Sequence, residues 1–293
     1  KKGFMYFKEF IFFLSSEKRF SNHTITAYKN DLLQFFSFLK KDHLLINDLE
    51  LISFKIIRNY VAFLLESDIK ARSVNRKIST LRSYFKFLVR MDYLSTNPML
   101  KIIPPKSVKK IPVFVDQDSM LALLNEVSFE KGFIGERDKL IIELFYVTGV
   151  RLSELINIKI SDINFDGCSV KVLGKRNKER IIPLSNSIAN EISSFILKYD
   201  LRTYLFTNLK KQKVYNKLVY RVVKKYISKI SSIDKNSPHI LRHTFATHML
   251  NNGADINAIK ELLGHANLSA TQVYTHNTID KLKLIYKQAH PRA

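Results

Sequence analysis

Tyr274 closes the string Leu262-Leu263-Gly264-His265-Ala266-Asn267-Leu268-Ser269-Ala270-Thr271-Gln272-Val273-Tyr274. Upstream, His239 and Arg242 stand three apart in Pro238-His239-Ile240-Leu241-Arg242-His243, and Arg151 lies in Thr148-Gly149-Val150-Arg151-Leu152-Ser153-Glu154. These side chains supply a phenol that can attack phosphorus, two guanidinium groups that can hold phosphate oxygens, and imidazoles that can manage protons. A phosphodiester resists attack because it is anionic and its alkoxide leaving group is poor. A catalyst must cancel charge on the phosphoryl oxygens, deprotonate the nucleophile and protonate the leaving oxygen. Arginine suits the first task, since its planar fork matches phosphate and stays charged. Arg151 and Arg242 can form such a clamp, strongest where charge builds in the transition state. Tyr274 is the candidate nucleophile. Deprotonating a free phenol, with its pKa of about 10, costs roughly 4 kcal/mol at neutral pH, so the site must offset that.

His239 and Arg242 share one helix face and can reach one phosphate. His239 can take the tyrosine proton as general base, and His265 can donate a hydrogen bond to a phosphoryl oxygen. Lys175 sits in a polar turn and can act as general acid to the leaving 5′ oxygen. Arg176, Lys178 and Arg180 are close enough in sequence to serve in its place. Glu154 has a supporting role, positioning Arg151 or a histidine. His243 and His248, on the same helix as His239, read as structural. Singly, each residue is ordinary: there are 13 tyrosines, and a lone arginine usually forms a surface ion pair. Their joint occurrence in a basic chain is what sets them apart.

The elements that must position them are mostly helices. Amphipathic or apolar segments cover residues 4–14, Ser21 to Lys41, Ser53 to Leu65 and Ala71 to Arg90. In the last of these, Val74, Ile78, Leu81, Phe85 and Leu88 step by four and three onto one stripe. Arg72, Arg76, Lys86 and Arg90 fall near the opposite side. Lys70 to Arg90 holds seven basic residues and no acidic one, whereas a solvated face usually mixes signs. These four are therefore candidate DNA contacts. Residues 96–115, with Pro98, Pro104, Pro105, Pro112 and several lysines, read as a basic linker. Further helices are expected from Asp116 to about Val127, Glu136 to Val147, and at about 186–199, 214–231, 238–252, 255–263, 267–275 and 278–288. Two strands, Ile163 to Leu173 and Glu179 to Leu184, flank the turn Gly174-Lys175-Arg176-Asn177-Lys178. The expected fold is mainly α, in two domains that clamp DNA. An N-terminal helical domain (1–95) and the linker (96–115) precede a C-terminal, mostly helical catalytic domain (116–293) with a small antiparallel β-sheet.

Composition is consistent with this. The chain has 293 residues, is 46% hydrophobic and carries a formal net charge of +22. Residues 1–115 hold 21 Lys/Arg against 9 Asp/Glu, and residues 116–293 hold 27 against 17, so both halves are basic. One cysteine, Cys168, excludes an internal disulfide framework, and paired Cys/His metal motifs are lacking. No apolar run approaches a membrane span. No small-residue cleavage site follows the Lys1-Lys2-Gly3 opening. The expectation is a cytoplasmic, nucleoid-associated protein with no membrane partner.

The strings Tyr146-Val147-Thr148-Gly149-Val150-Arg151-Leu152-Ser153-Glu154-Leu155, His239-Ile240-Leu241-Arg242-His243-Thr244-Phe245-Ala246-Thr247-His248, and Leu262-Leu263-Gly264-His265 with Tyr274-Thr275-His276 resemble the tyrosine recombinase (phage integrase) family. Within it, the chain is most similar to the Xer branch; the ending His290-Pro291-Arg292-Ala293 has the same look. The resemblance spans nearly the whole chain. It implies that residues 1–95 form a SAM-like core-binding domain. It also implies Arg151, Lys175, His239, Arg242 and His265 as the activating set, with Tyr274 as nucleophile. Attack would leave a 3′-phosphotyrosyl link and a free 5′ hydroxyl, with no ATP, metal or other cofactor. The family works as a homo- or hetero-tetramer on two sites in double-stranded DNA. In that assembly the 278–288 helix, with Leu282, Leu284, Ile285 and Tyr286, is expected to dock on a neighbouring subunit. The stretch 205–213 is richer in lysine than in Xer relatives, which bears on local DNA contacts. The leading role is Xer-like resolution of chromosome dimers, with a DNA translocase of the division machinery as partner. Integration of a mobile element or inversion of a promoter uses the same site chemistry. A non-catalytic DNA-binding regulator or architectural protein would explain the charge but not the constellation.

Overall fold

The computed structural model describes residues 2–41, 49–107, 113–174, 178–231, 237–264 and 276–292. The chain divides into two compact units, Lys1–Lys110 and Ile111–Ala293.

The first unit is built on four helices: α1 (Lys2–Ser16), α2 (Asn22–Lys41), α3 (Phe54–Glu66) and α4 (Ala71–Arg90). Val74, Ile78, Leu81, Phe85 and Leu88 of α4 are all buried, as their spacing requires. They meet an aromatic core in which Phe10 and Tyr84 lie 5.2 Å apart and Phe35 and Tyr60 5.0 Å apart between ring centroids, close enough for edge-to-face contact. The core also holds charge. Asp31 of α2 is buried and accepts from Lys77 Nζ at 3.0 Å and Thr80 Oγ1 at 2.9 Å, and pairs with Arg76. Lys77 is buried beside the apolar stripe, with that carboxylate as its ion-pair partner. Removing one partner of such a pair strands the other. Asp31→Ala should therefore destabilise this unit by about 3 kcal/mol, read as a lowered urea midpoint at unchanged slope.

Arg72, Arg76, Lys86 and Arg90 are exposed along α4. Arg76 is tied to Asp31, and Arg90 reaches Glu17 at 3.4 Å and lies over the Phe13 ring. The first part of the stretch read as linker is bound to this unit. Met99 and Ile102 are buried, Arg82 Nη2 donates to Ile102 O at 2.6 Å, and Asn75 Nδ2 donates to Pro105 O at 3.0 Å. Its apolar residues outweigh its prolines. Residues 108–112 lie outside the described residues.

The second unit centres on α6 (Phe133–Thr148), buried nearly all round and packed against α10 (Pro238–Asn251). Around them lie α5 (Gln117–Asn125), α7 (Leu152–Leu155), α8 (Asn186–Lys198), α9 (Asn216–Ile227), α11 (Ile256–Leu263) and α12 (His276–Ala289). Three antiparallel strands, β1 (Ile163–Asn164), β2 (Ser169–Leu173) and β3 (Glu179–Pro183), form one sheet in that order, with Val170 opposite Ile182. The single strand expected over 163–173 is thus two. Asn164 Oδ1 accepts from Gly167 N at 2.8 Å and Cys168 takes φ +42°, which turns the chain back on itself. The helix expected at 267–275 lies outside the described residues.

In this single chain α12 folds back on its own unit, against β3, α10 and α11, and buries Leu282, Tyr286 and Ala289. Leu284 is exposed. The segment after α12 is anchored as well. His290 stacks on Tyr286 and lies 3.1 Å from the Tyr146 carbonyl, while Arg292 pairs with the buried Glu143. Burial pushes the His290 imidazole down to about 3, with the charges of His248 and Arg292 adding to that shift. The folded chain therefore keeps His290 neutral where the unfolded chain takes up a proton. Stability from this group is complete above roughly pH 6.5 and is lost as pH falls from there toward 3. The thermal midpoint should drop through that window, and more shallowly in His290→Gln.

Candidate functional site

α6 ends at Gly149, whose φ of +58° is left-handed. A Cβ there would lie 2.5 Å from Phe245 Cδ1 and 2.8 Å from Leu263 Cδ2, so glycine lets the chain turn close to α10 and α11. The turn delivers Arg151 to the N-cap of the short α7. Glu154, at the third position of α7, reaches back: its Oε2 accepts from Arg151 N at 2.8 Å and its Oε1 from Arg151 Nη1 at 2.7 Å.

The same carboxylate is gripped from the sheet. Arg180 of β3 donates from Nη1 to Glu154 Oε1 at 2.8 Å and from Nη2 to Oε2 at 2.7 Å, a bidentate fork in a buried pair. Burial alone would raise the Glu154 carboxyl. The hydrogen bonds and charge of Arg180, with the N–H groups of Arg151, outweigh it and hold Glu154 below the usual carboxylate range.

α10 begins with Pro238 at its first position, where the missing N–H costs nothing. His239 follows, exposed, and Arg242, three residues on, is buried. Arg242 donates from Nη1 to Gly149 O at 2.6 Å and from Nη2 to Leu263 O at 2.7 Å. α11 starts at Asp255, whose side chain accepts from Asn257 N and Ala258 N, and ends at the left-handed Gly264. Its last carbonyls, which carry the negative end of the helix dipole, each take one guanidinium. Arg180 Nε binds Leu262 O at 2.7 Å, Arg242 binds Leu263 O, and Arg151 Nη2 binds Gly264 O at 2.9 Å. Three cations from three separate elements thus meet at one helix end. Burial, then the charges of Arg151 and Arg180, push the Arg242 guanidinium down to about 9. It remains charged at neutral pH, in a place that would favour an incoming anion.

The structure therefore brings Arg151, Glu154 and Arg242 together and sets His239 one turn before Arg242. Lys175, His265 and Tyr274 lie outside the described residues, as does Arg176. Lys178 is exposed. Arg180, weighed as a stand-in for Lys175, is buried with its Nε, Nη1 and Nη2 all engaged, and is not available as a proton donor. Sequence reading missed its actual place. The alternation of β3 carried the signal, since Arg180 shares the inward face with buried Ile182. His248 is structural as expected: it is buried, with Nδ1 3.0 Å from Tyr146 Oη. His243, read the same way, is exposed. Among the described residues, no group of three or more His, Cys, Asp or Glu is placed to hold a metal, and no helix is long and apolar enough to cross a membrane.

The model of the phage integrase family matches residues 114–280, and that of the phage integrase N-terminal SAM-like domain matches residues 7–92. Tyrosine recombinase XerC of Staphylococcus epidermidis is 41% identical over 97% of this chain and 96% of its own length. XerC of Staphylococcus carnosus is 40% identical over 98% and 97%. Among solved structures, the XerH site-specific recombinase bound to difH substrate has a TM-score of 0.69 at 22% identity, covering 88% of this chain and 78% of that one. A lambda integrase dimer bound to a COC′ core site has a TM-score of 0.69 at 20% identity, covering 92% and 98%. Those two likenesses are of fold. Family models spanning both units, and a relative this similar over nearly the full length, settle the assignment: the chain belongs to the phage integrase family, the tyrosine recombinases, enzymes that transfer DNA strands.

Proposed function

We propose that Tyr274 attacks the scissile phosphate of a specific DNA site and that Arg151 and Arg242 hold its non-bridging oxygens. The phenolic oxygen forms a bond to phosphorus and the bond to the 5′ oxygen breaks. His239 accepts the phenol proton, Lys175 protonates the departing 5′ oxygen, and His265 donates a hydrogen bond to a phosphoryl oxygen. The products are a 3′-phosphotyrosyl ester and a 5′ hydroxyl. Attack of a second strand's 5′ hydroxyl on that ester reverses the chemistry on a new partner, so bond energy is conserved and no high-energy cofactor is required.

The observation that carries this reading is the convergence of Arg151, Arg180 and Arg242 on one helix end, with Glu154 the carboxylate among them in the described residues. A purely architectural DNA-binding protein has no need of buried cations in excess. The N-terminal unit serves as a core-binding domain, with Arg72, Arg76, Lys86 and Arg90 facing phosphates, and the C-terminal unit as the catalytic domain. The working form is a homo- or hetero-tetramer on two DNA sites. Similarity to XerC over nearly the whole chain favours resolution of chromosome dimers on the nucleoid, in concert with a DNA translocase at division.

The test is the DNA recovered with the crosslinked protein from cells. A unique chromosomal site near the replication terminus is expected, and a nicked duplex bearing it should give a covalent adduct in vitro. Recovery of mobile-element ends or an invertible promoter would overturn the dimer-resolution role. Uniform recovery across the genome, with no adduct, would overturn site-specific recombination itself.

A further inference from the structure

We infer that Arg180 is a positioning residue that balances the charge of Glu154 and so keeps the charge of Arg151 available to the scissile phosphate. This rests on the reading above. Glu154 alone would make a poor partner for a phosphate-binding arginine. Its carboxylate, with 1% of its side chain exposed, lies 2.7 Å from Arg151 Nη1, and in such a setting it would neutralise that cation. Arg180 alters the balance. It meets both carboxylate oxygens in a bidentate fork, is itself buried, and uses its Nε on Leu262 O, so it has no spare face for DNA. Glu154 then serves Arg151 as a geometric anchor, through Arg151 N and Nη1, while its charge is met by Arg180.

Among the described residues, the charges around Arg242 are Arg151, Arg180 and Glu154. Three guanidinium groups against one carboxylate leave two positive charges uncompensated. A phosphodiester carries one negative charge, and addition of a phenolate brings it to two. The cluster matches the transition state more closely than the ground state, which is the condition for a gain in rate rather than in affinity. Arg180 also bears on the neighbouring parts of the site. A Cβ on Gly174, next in sequence to Lys175, would lie 3.4 Å from Glu154 Oε1 and 3.5 Å from Arg180 Nη1, and one on Gly264, next to His265, would lie 3.1 Å from Arg180 Nη1.

The experiment measures the rate of covalent adduct formation on a nicked duplex carrying the recombination site. Arg180→Met should slow it by roughly a hundredfold, with DNA affinity nearly unchanged. Adding Glu154→Gln removes the carboxylate's charge as well and should recover at least about tenfold of that loss, although Glu154→Gln alone slows the reaction. A residue that only held the fold together would make the double variant worse. Arg180→Lys keeps the charge and, if the methionine variant fails to fold, carries the test alone. It should recover at least about tenfold of the loss expected for Arg180→Met, although one ammonium cannot replace the bidentate fork. The inference is overturned by a double variant no faster than Arg180→Met, by Arg180→Met reacting at the unsubstituted rate, or by a folded Arg180→Lys as slow as Arg180→Met is expected to be. Absence of adduct from the unsubstituted chain would instead bring down the underlying reading of the site.

Discussion

Tyr274→Phe should bind the recombination site as tightly as the unsubstituted chain and form no covalent link to it. The change removes one oxygen and keeps the ring, so packing that depends on the aromatic face is preserved. Binding is expected to draw on many phosphate contacts spread over a chain of net charge +22, and the phenol adds no charge to them. In the proposed mechanism the chemistry depends on that oxygen entirely, because the covalent ester forms through it. Removing a covalent nucleophile costs on the order of 10⁶-fold in rate, which puts the adduct below detection. A gel-shift titration beside a denaturing gel on a nicked substrate measures both halves of the prediction. Adduct surviving at even a hundredth of the original yield would place the nucleophile elsewhere.

Arg242→Ala should slow adduct formation by roughly 10²–10³-fold, the usual cost of losing one preorganised donor. The effect is expected to exceed that of a surface arginine because of where Arg242 sits. It is buried, its two hydrogen bonds go to the carbonyls of Gly149 and Leu263, and its guanidinium is held near 9 by burial and by Arg151 and Arg180. A base whose pKa is lowered on folding costs stability wherever it is protonated, here at every pH below about 9. The free protein bears that cost, and an anion between Arg242 and Arg151 offsets it. Inorganic phosphate or sulfate should therefore raise the thermal midpoint of the unsubstituted chain more than that of Arg242→Ala. A variant that folds, binds DNA and reacts at the original rate would remove Arg242 from the mechanism.

The parts of this molecule most legible in its sequence are those governed by periodicity and by motif. The α4 stripe from Val74 to Leu88 is buried as spaced, and its bounds coincide with the expected Ala71 to Arg90. Arg151, Glu154 and Arg242, more than ninety residues apart at their extremes, belong together by their chemistry, and they do converge. What escaped was mostly charge placed where pattern reads apolar, and contacts that long-range packing decides. Lys77 sits in the core because Asp31, one helix away, receives it, and nothing local to either residue says so. By sequence Arg180 is one of several basic residues near a turn, and only strand pairing reveals that it faces inward. Phe165 to Cys168 form a turn because the Asn164 side chain closes on Gly167, a side-chain bond that hydropathy does not register. α12 carries an apolar face of which Leu282 and Tyr286 pack on its own unit while Leu284 stays exposed, a division that spacing alone does not reveal.

The most direct test is to trap the intermediate on its correct target and find the amino acid that bears the DNA. Cleavage of a nicked duplex, protease digestion and mass spectrometry should yield a peptide containing Tyr274 esterified to a 3′ phosphate, with a free 5′ hydroxyl on the other side of the break. A link through any other side chain, attachment to the 5′ end, or no trapped species on a site the protein binds specifically would contradict the account.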